Sequence, residues 1–225
     1  HNSDYFEVEK SRDGMNWQVL TTVNAAGNST QLLNYEATDA HAMEGNNYYR
    51  LTQVDIDGTT KTYDVINVSW FSGCSFSQFE QDVIDEVYAN GTFIVAAAGN
   101  GTTCGDPSAL AYPASYNHVF SVTSIGEHDN HEENIGDPHT THQHNSRVDL
   151  AAPGYKVNIS DSPVNYSTAS GTSYAAPFVT GTVALMLSVN PCIDNDEIEQ
   201  ILKASSVNID ALNPAYAGSI GVGRL

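Results

Sequence analysis

Apolar and polar positions follow two different rhythms along this chain, and the change between them divides it. Near the N-terminus Phe6 and Val8 alternate with Glu7 and Glu9, and Trp17, Val19, Thr21 and Val23 share one face of the next run. A period of two predicts β-strands with one face turned inward. Asp13-Gly14 between these runs and Asp57-Gly58 after Tyr48–Ile56 are hairpin-turn signals, and Gly27-Asn28-Ser29-Thr30 and Glu44-Gly45-Asn46-Asn47 supply two more loops. Short strands with turns at this spacing predict a small antiparallel β-sandwich-like module over residues 1–64. Within it Tyr48 and Tyr49 read as packing residues, and Asp55 and Asp57 as solvated turn carboxylates rather than cation ligands.

From about Asp64 strands and helices alternate, which predicts α/β layering over residues 65–225. Val65–Trp70 is a short apolar strand. Phe76, Phe79, Val83 and Val87 then recur at helical spacing with acids between them, giving an amphipathic helix that ends near Asn90-Gly91. Phe93–Ala98 is apolar without interruption, as a parallel strand buried on both faces requires, and Val119–Ile125 and Val148–Ala151 are further strands. The run from Ser173 to about Val189 is apolar nearly all round, so it is expected to pass through the core before Pro191 stops it. Asp194–Lys203, acidic in its first turn and basic in its last, predicts another helix.

Composition narrows the partners. With 27 acidic against 8 basic side chains the formal net charge is -19, which repels nucleic acid and anionic membrane surfaces. No apolar run approaches the roughly 18 residues a membrane helix needs, so no such helix is expected. The sequence opens on His1 rather than Met, so it reads as a processed or clipped piece of something longer. None of Cys74, Cys104 and Cys192 forms a CxxC pair. One disulfide, Cys74 with Cys104, leaves Cys192 unpaired or bonded elsewhere; three reduced core cysteines are the alternative.

The candidate chemistry lies in two places. Ser170-Gly171-Thr172-Ser173-Tyr174-Ala175-Ala176-Pro177 puts a serine among small residues at the entry to an apolar helix, where unpaired backbone N–H groups and the helix dipole favour negative charge. Val95-Ala96-Ala97-Ala98-Gly99-Asn100 ends a buried strand with a side-chain amide at its carboxyl end. Together these segments resemble the subtilisin-like (subtilase) serine proteases. Ile66-Asn67-Val68-Ser69-Trp70, Tyr112-Pro113-Ala114-Ser115, Val148-Asp149-Leu150-Ala151-Ala152-Pro153-Gly154 and Gly221-Val222-Gly223-Arg224 follow in that family's order. The resemblance implies Ser173 as nucleophile and Asn100 as oxyanion donor. It implies Ser69 and Trp70 along the substrate backbone, and Ala97, Ala98 and Gly99 as the opposite wall of the main side-chain pocket. The implied architecture is a partial subtilisin-like parallel sheet with flanking helices.

The same resemblance implies an aspartate in an Asp-Thr/Ser-Gly turn and a histidine in a His-Gly-Thr segment, and this sequence contains neither. Its implications are therefore a polypeptide substrate, a secreted protein, no required cofactor, an unplaced structural calcium, and a partner chain or segment supplying the base. As it stands, the chain is expected to be nearly inactive. A non-catalytic binding or adhesion protein is the competing class. His128, His131, His139, His142 and His144 read as a solvated surface insertion, with metal ligation and a local base as lesser alternatives. The first 64 residues, through Asn2–Glu9, Asp13-Gly14 and Asn47–Gly58, resemble fibronectin type III-like modules of Bacteroidetes secreted proteins. Lys61–Ser69 suits both neighbours as a strand, which predicts a junction there between two truncated pieces.

Overall fold

The structure, a computed structural model, describes residues 3–12, 16–27, 35–42, 48–56, 64–101, 104–131, 142–162 and 165–225. The chain forms two compact units, residues 1–62 and 63–225.

In the first unit β1 (Ser3–Ser11), β2 (Trp17–Gly27) and β3 (Tyr48–Asp55) make an antiparallel sheet in the order β2-β1-β3. Phe6 pairs with Val23, and Val8 with both Thr21 and Leu51, so the alternation read from sequence sets the register. The described residues form one sheet where a sandwich was expected; of their larger apolar side chains only Val54 is buried, and Leu51 is 66% exposed. The Asp13-Gly14, Asp57-Gly58 and Glu44–Asn47 turns and the Tyr48 and Asp55 side chains lie outside the described residues. Tyr49 corrects its expected packing role. It is half-exposed, and its hydroxyl donates to Asp39 Oδ2 at 2.7 Å, a carboxylate that also pairs with Lys10.

The second unit is built on four parallel strands that stand side by side in chain order: β4 (Val65–Val68), β5 (Phe93–Ala97), β6 (Phe120–Ile125) and β7 (Leu150–Pro153). Every residue of β5 and β6 is buried, as the unbroken apolar run of β5 requires; β6 also encloses Ser121, Thr123 and Ser124. Helix α1 (Gln78–Ala89), capped by the Ser77 hydroxyl on the Glu80 N–H, covers one face through Ile84 and Val87. On the other face Phe93, Val95, Val122 and Leu150 meet α2 (Thr172–Val189) and α3 (Asn195–Ser205). A reciprocal capping box between Asp194 and Glu197 starts α3, whose Ile198 and Leu202 fill the core. A hairpin, β8 (Val157–Ser162) and β9 (Asn165–Ala169), joins β7 to α2. Cys74 and Cys104 are bonded to each other and Cys192 is exposed and unbonded.

Helix α2 departs from expectation. Its inner face (Thr172, Ala175, Ala176, Val179 and Val183) is buried on the sheet, but Leu185 is 69% and Val189 86% exposed. It runs along the described core rather than through it. With 18 residues and a mean hydropathy of 1.3 it also reaches the length and apolarity of a membrane-crossing helix, against the expectation of no such run. Its packed inner face accounts for it as a sheet-covering helix.

Candidate active site

Parallel strands deliver all their carboxyl ends to one edge of the sheet, and the turns that follow build the site there. Ser69-Trp70 leaves β4, Gly99-Asn100 leaves β5, and Gly154 follows β7. The Gly171 N–H donates to Gly154 O at 2.8 Å, bringing the start of α2 to the same edge. The approach is close: a Cβ on Gly154 would fall on Ser124 Cβ and within 2.9 Å of Gly171 O, so this position needs glycine.

Asn100 and Thr172 are knitted together. Asn100 Oδ1 accepts from the Thr172 N–H at 2.9 Å and from its hydroxyl at 3.0 Å, and Thr172 Oγ1 accepts from the Gly99 N–H at 3.1 Å. With Oδ1 committed as an acceptor, Nδ2 is the donor end of this amide. Ser173 follows in the first turn of α2, where backbone N–H groups lack helical partners. Its carbonyl accepts from Ser69 Oγ at 2.9 Å, and among the described residues its hydroxyl reaches only Ser69 O, at 3.4 Å.

Six of the seven sequence-derived site residues, Ser69, Trp70, Ala97, Gly99, Asn100 and Ser173, line one cleft of about 170 Å³. Ala98 does not line it; it is buried and donates its N–H to Val122 O at 2.9 Å within the sheet. Thr172 and Tyr112 also line the cleft, and no lining side chain carries a charge. Thr172, which locks Asn100 to the helix start, was not singled out from sequence, although it sits inside the serine motif. The arrangement offers a hydroxyl, an oriented amide donor and an uncharged groove beside a helix N-terminus. Acyl transfer calls for a hydroxyl and oriented donors of this kind.

The histidine-rich segment corrects its expectation. His128 is exposed and His139 lies outside the described residues, but His131 and His142 are 0% and 1% exposed. His142 Nδ1 bonds Ser124 Oγ, and His131 Nδ1 bonds Ser124 O at 2.8 Å. Burial pushes both imidazoles down to about 4, so they are neutral at neutral pH. Neither is hydrogen-bonded to Ser173. Among the described residues no three His, Cys, Asp or Glu side chains converge to hold a metal ion.

Comparisons with known proteins place the chain in a family. The sequence profile of the subtilase family (peptidase S8) matches residues 28–223, starting inside the first unit. Subtilisin DY of Bacillus licheniformis is 29% identical over 206 residues, covering 88% of this chain and 72% of the relative. Subtilisin E of Bacillus subtilis (strain 168) is 30% identical over 155 residues, covering 69% of this chain and 38% of the relative. A halolysin-like extracellular serine protease of Natrialba magadii is 36% identical over 121 residues, covering 53% of this chain and 20% of that one. Among solved structures, a protease of Pseudoalteromonas arctica superposes with a TM-score of 0.58 at 29% identity, covering 74% of this chain and 50% of that one. The chain thus spans about half the length of that structure and less of several curated relatives.

Proposed function

The chain belongs to the subtilase family of serine proteases, and from that premise we propose that its second unit performs peptide-bond hydrolysis through an acyl-enzyme on Ser173. The observation that carries this reading is the Asn100–Thr172–Ser173 cluster facing Ser69 and Trp70 across one uncharged cleft. Ser173 attacks the scissile carbonyl, and Asn100 Nδ2 with the Ser173 N–H donates to the oxyanion. A substrate strand lies along Ser69-Trp70 and one side chain enters against Ala97 and Gly99. With no charge in that groove, uncharged side chains are preferred there.

The hydroxyl needs a base. His142 and His131 are engaged elsewhere and buried, so the base and its orienting carboxylate come from a further segment or partner. In this reading residues 65–225 are the C-terminal half of the catalytic domain, residues 1–64 are a fibronectin-like module, and the protein acts outside the cell. The named extracellular role of the Natrialba relative supports the last point. A second reading, a non-catalytic adhesion protein with a vestigial protease unit, is favoured by the long 3.4 Å contact that is all Ser173 Oγ makes among the described residues.

A fluorophosphonate probe separates the two. Labelling that disappears in Ser173→Ala supports the protease. A folded chain that stays unlabelled, alone and after mixing with the secreted fraction of its source, removes the protease reading.

A further inference from the structure

Of two consecutive side chains, Gln143 stands against the turn that carries Asn100, and His142 holds Ser124, which packs against Gly154. The segment runs over the carboxyl end of β6, where Thr123 Oγ1 donates to Gln143 O at 2.6 Å. Successive residues of an extended segment point to opposite sides, so the two side chains diverge.

Gln143 goes toward Asn100. Its N–H donates to Gly99 O at 3.0 Å, and its Nε2 donates to Asp106 O at 3.2 Å. Gly99 has φ +118°, and the place where its Cβ would stand is filled by Gln143 Cδ and Oε1, both at 3.3 Å. Gly99 is therefore gripped from one side by Gln143 and from the other by Thr172 Oγ1. His142 goes toward Ser124. It bonds Ser124 Oγ, and Ser124 Cβ fills the space beside Gly154, whose carbonyl holds the Gly171 N–H. Behind them His131 ties Ser124 O to Asn213 Oδ1, and Asn213 Nδ2 donates to Ile209 O, so the strut is anchored in the last quarter of the chain.

The arrangement is costly as a mere core. His142 Nε2 and Gln143 Oε1 are buried without a hydrogen-bond partner among the described residues. Apolar side chains of similar size would avoid that cost, so a role in placing neighbouring groups explains them better than stability does.

We propose that Gln143 and His142 are positioning residues for the oxyanion site, Gln143 setting the Gly99-Asn100 turn and His142, through Ser124 and Gly154, setting Gly171–Ser173. This rests on the acyl-transfer reading of Asn100 and Ser173. Neither residue lines the cleft, so each acts through the backbone it supports.

The test compares Gln143→Ala, which empties the space beside Gly99, with Gln143→Met, which refills it without the amide. The readouts are the rate of fluorophosphonate labelling at Ser173, the affinity for an uncharged peptide amide that occupies only the groove, and the melting temperature. The expected result is a loss of at least tenfold in labelling for Gln143→Ala, with peptide affinity within twofold and recovery to within threefold of wild type in Gln143→Met. Wild-type labelling in Gln143→Ala overturns the proposal, and so does a loss of labelling and affinity together in proportion to the unfolded fraction. If the wild-type chain does not label, the acyl-transfer reading is what has failed. The strut is then read by amide hydrogen exchange in Gln143→Ala and His142→Phe. At least tenfold faster exchange at Asn100 and Ser173, with β5 and β6 unchanged, supports it, and unchanged exchange at both residues overturns it.

Discussion

The two units teach by contrast that strand length does not make a core. Strands of 9, 11 and 8 residues in the first unit bury little, whereas strands of 4 to 6 residues in the second are almost wholly enclosed. The difference is layering. In the second unit α1 covers one face of the sheet and α2 and α3 the other, while the described part of the first unit supplies no layer to close its sheet. A catalytic arrangement needs side chains held to a fraction of an ångström, and only the enclosed sheet offers that, with its strand ends converging on one edge.

Acid should break the contrast most strongly. His131 and His142 have imidazoles held at about 4 in the folded chain by burial, against 6.5 in the unfolded chain. As pH falls below 6.5 the unfolded chain takes up these protons first. The stability they permit is complete above that value and is lost progressively down to pH 4. Each contributes on the order of 3 kcal/mol over that window. Denaturant melts at pH 8 and pH 5 check this, followed by Trp70 in a Trp17→Phe variant so that the second unit reports alone. An unfolding midpoint that does not move over this range would mean the histidines are not buried in solution.

Truncation of a single core side chain comes next. Leu150→Ala removes a fully buried side chain between β6 and α2 and should cost about 2–5 kcal/mol, whereas Leu51→Ala, two-thirds exposed on β3, should stay within about 0.5 kcal/mol. Equal losses would show that the first sheet is covered after all. Reducing the Cys74–Cys104 bond, which closes a separation of 30 residues, should cost the second unit about 3.6 kcal/mol by the chain-entropy argument and leave the first unit's Trp17 signal unchanged.

What could be read in advance follows the same division between local and distant causes. The strand Phe93–Ala97, the helix ending near Asn90 and the helix that follows Asp194 are written in adjacent residues, and the structure has them where the pattern puts them. Ser69, Asn100 and Ser173 were singled out by the subtilase resemblance, and the fold brings them to one cleft because β4 and β5 end at the same sheet edge, to which the Gly171–Gly154 bond draws the start of α2. The histidines were misread because their burial is set by distant partners. His131 takes its support from Asn213, 82 positions away, and a polar window of sequence gives no hint of that. Tyr49 was misread likewise, since its partner Asp39 lies on a neighbouring segment rather than under the sheet.

The outer face of α2 is the smallest of these tests and the one that decides most about the site. Composition made α2 apolar all round, but composition cannot say what lies against each side. Inside, Val179 is fully buried, and Val179→Ala should cost about 2 kcal/mol. Outside, Leu185 is 69% exposed, so Leu185→Gln should change stability by about 0.5 kcal/mol or less, measured by denaturant melting at neutral pH. A loss above about 1.5 kcal/mol would mean that this face is covered in solution. The same helix begins at Thr172, with Ser173 in its first turn, and β4, which Ser69 follows, is the edge strand of the sheet nearest the cleft. A large effect of Leu185→Gln would therefore show that the helix whose first turn carries Ser173 packs against a further segment or partner, as a protease completed by one requires.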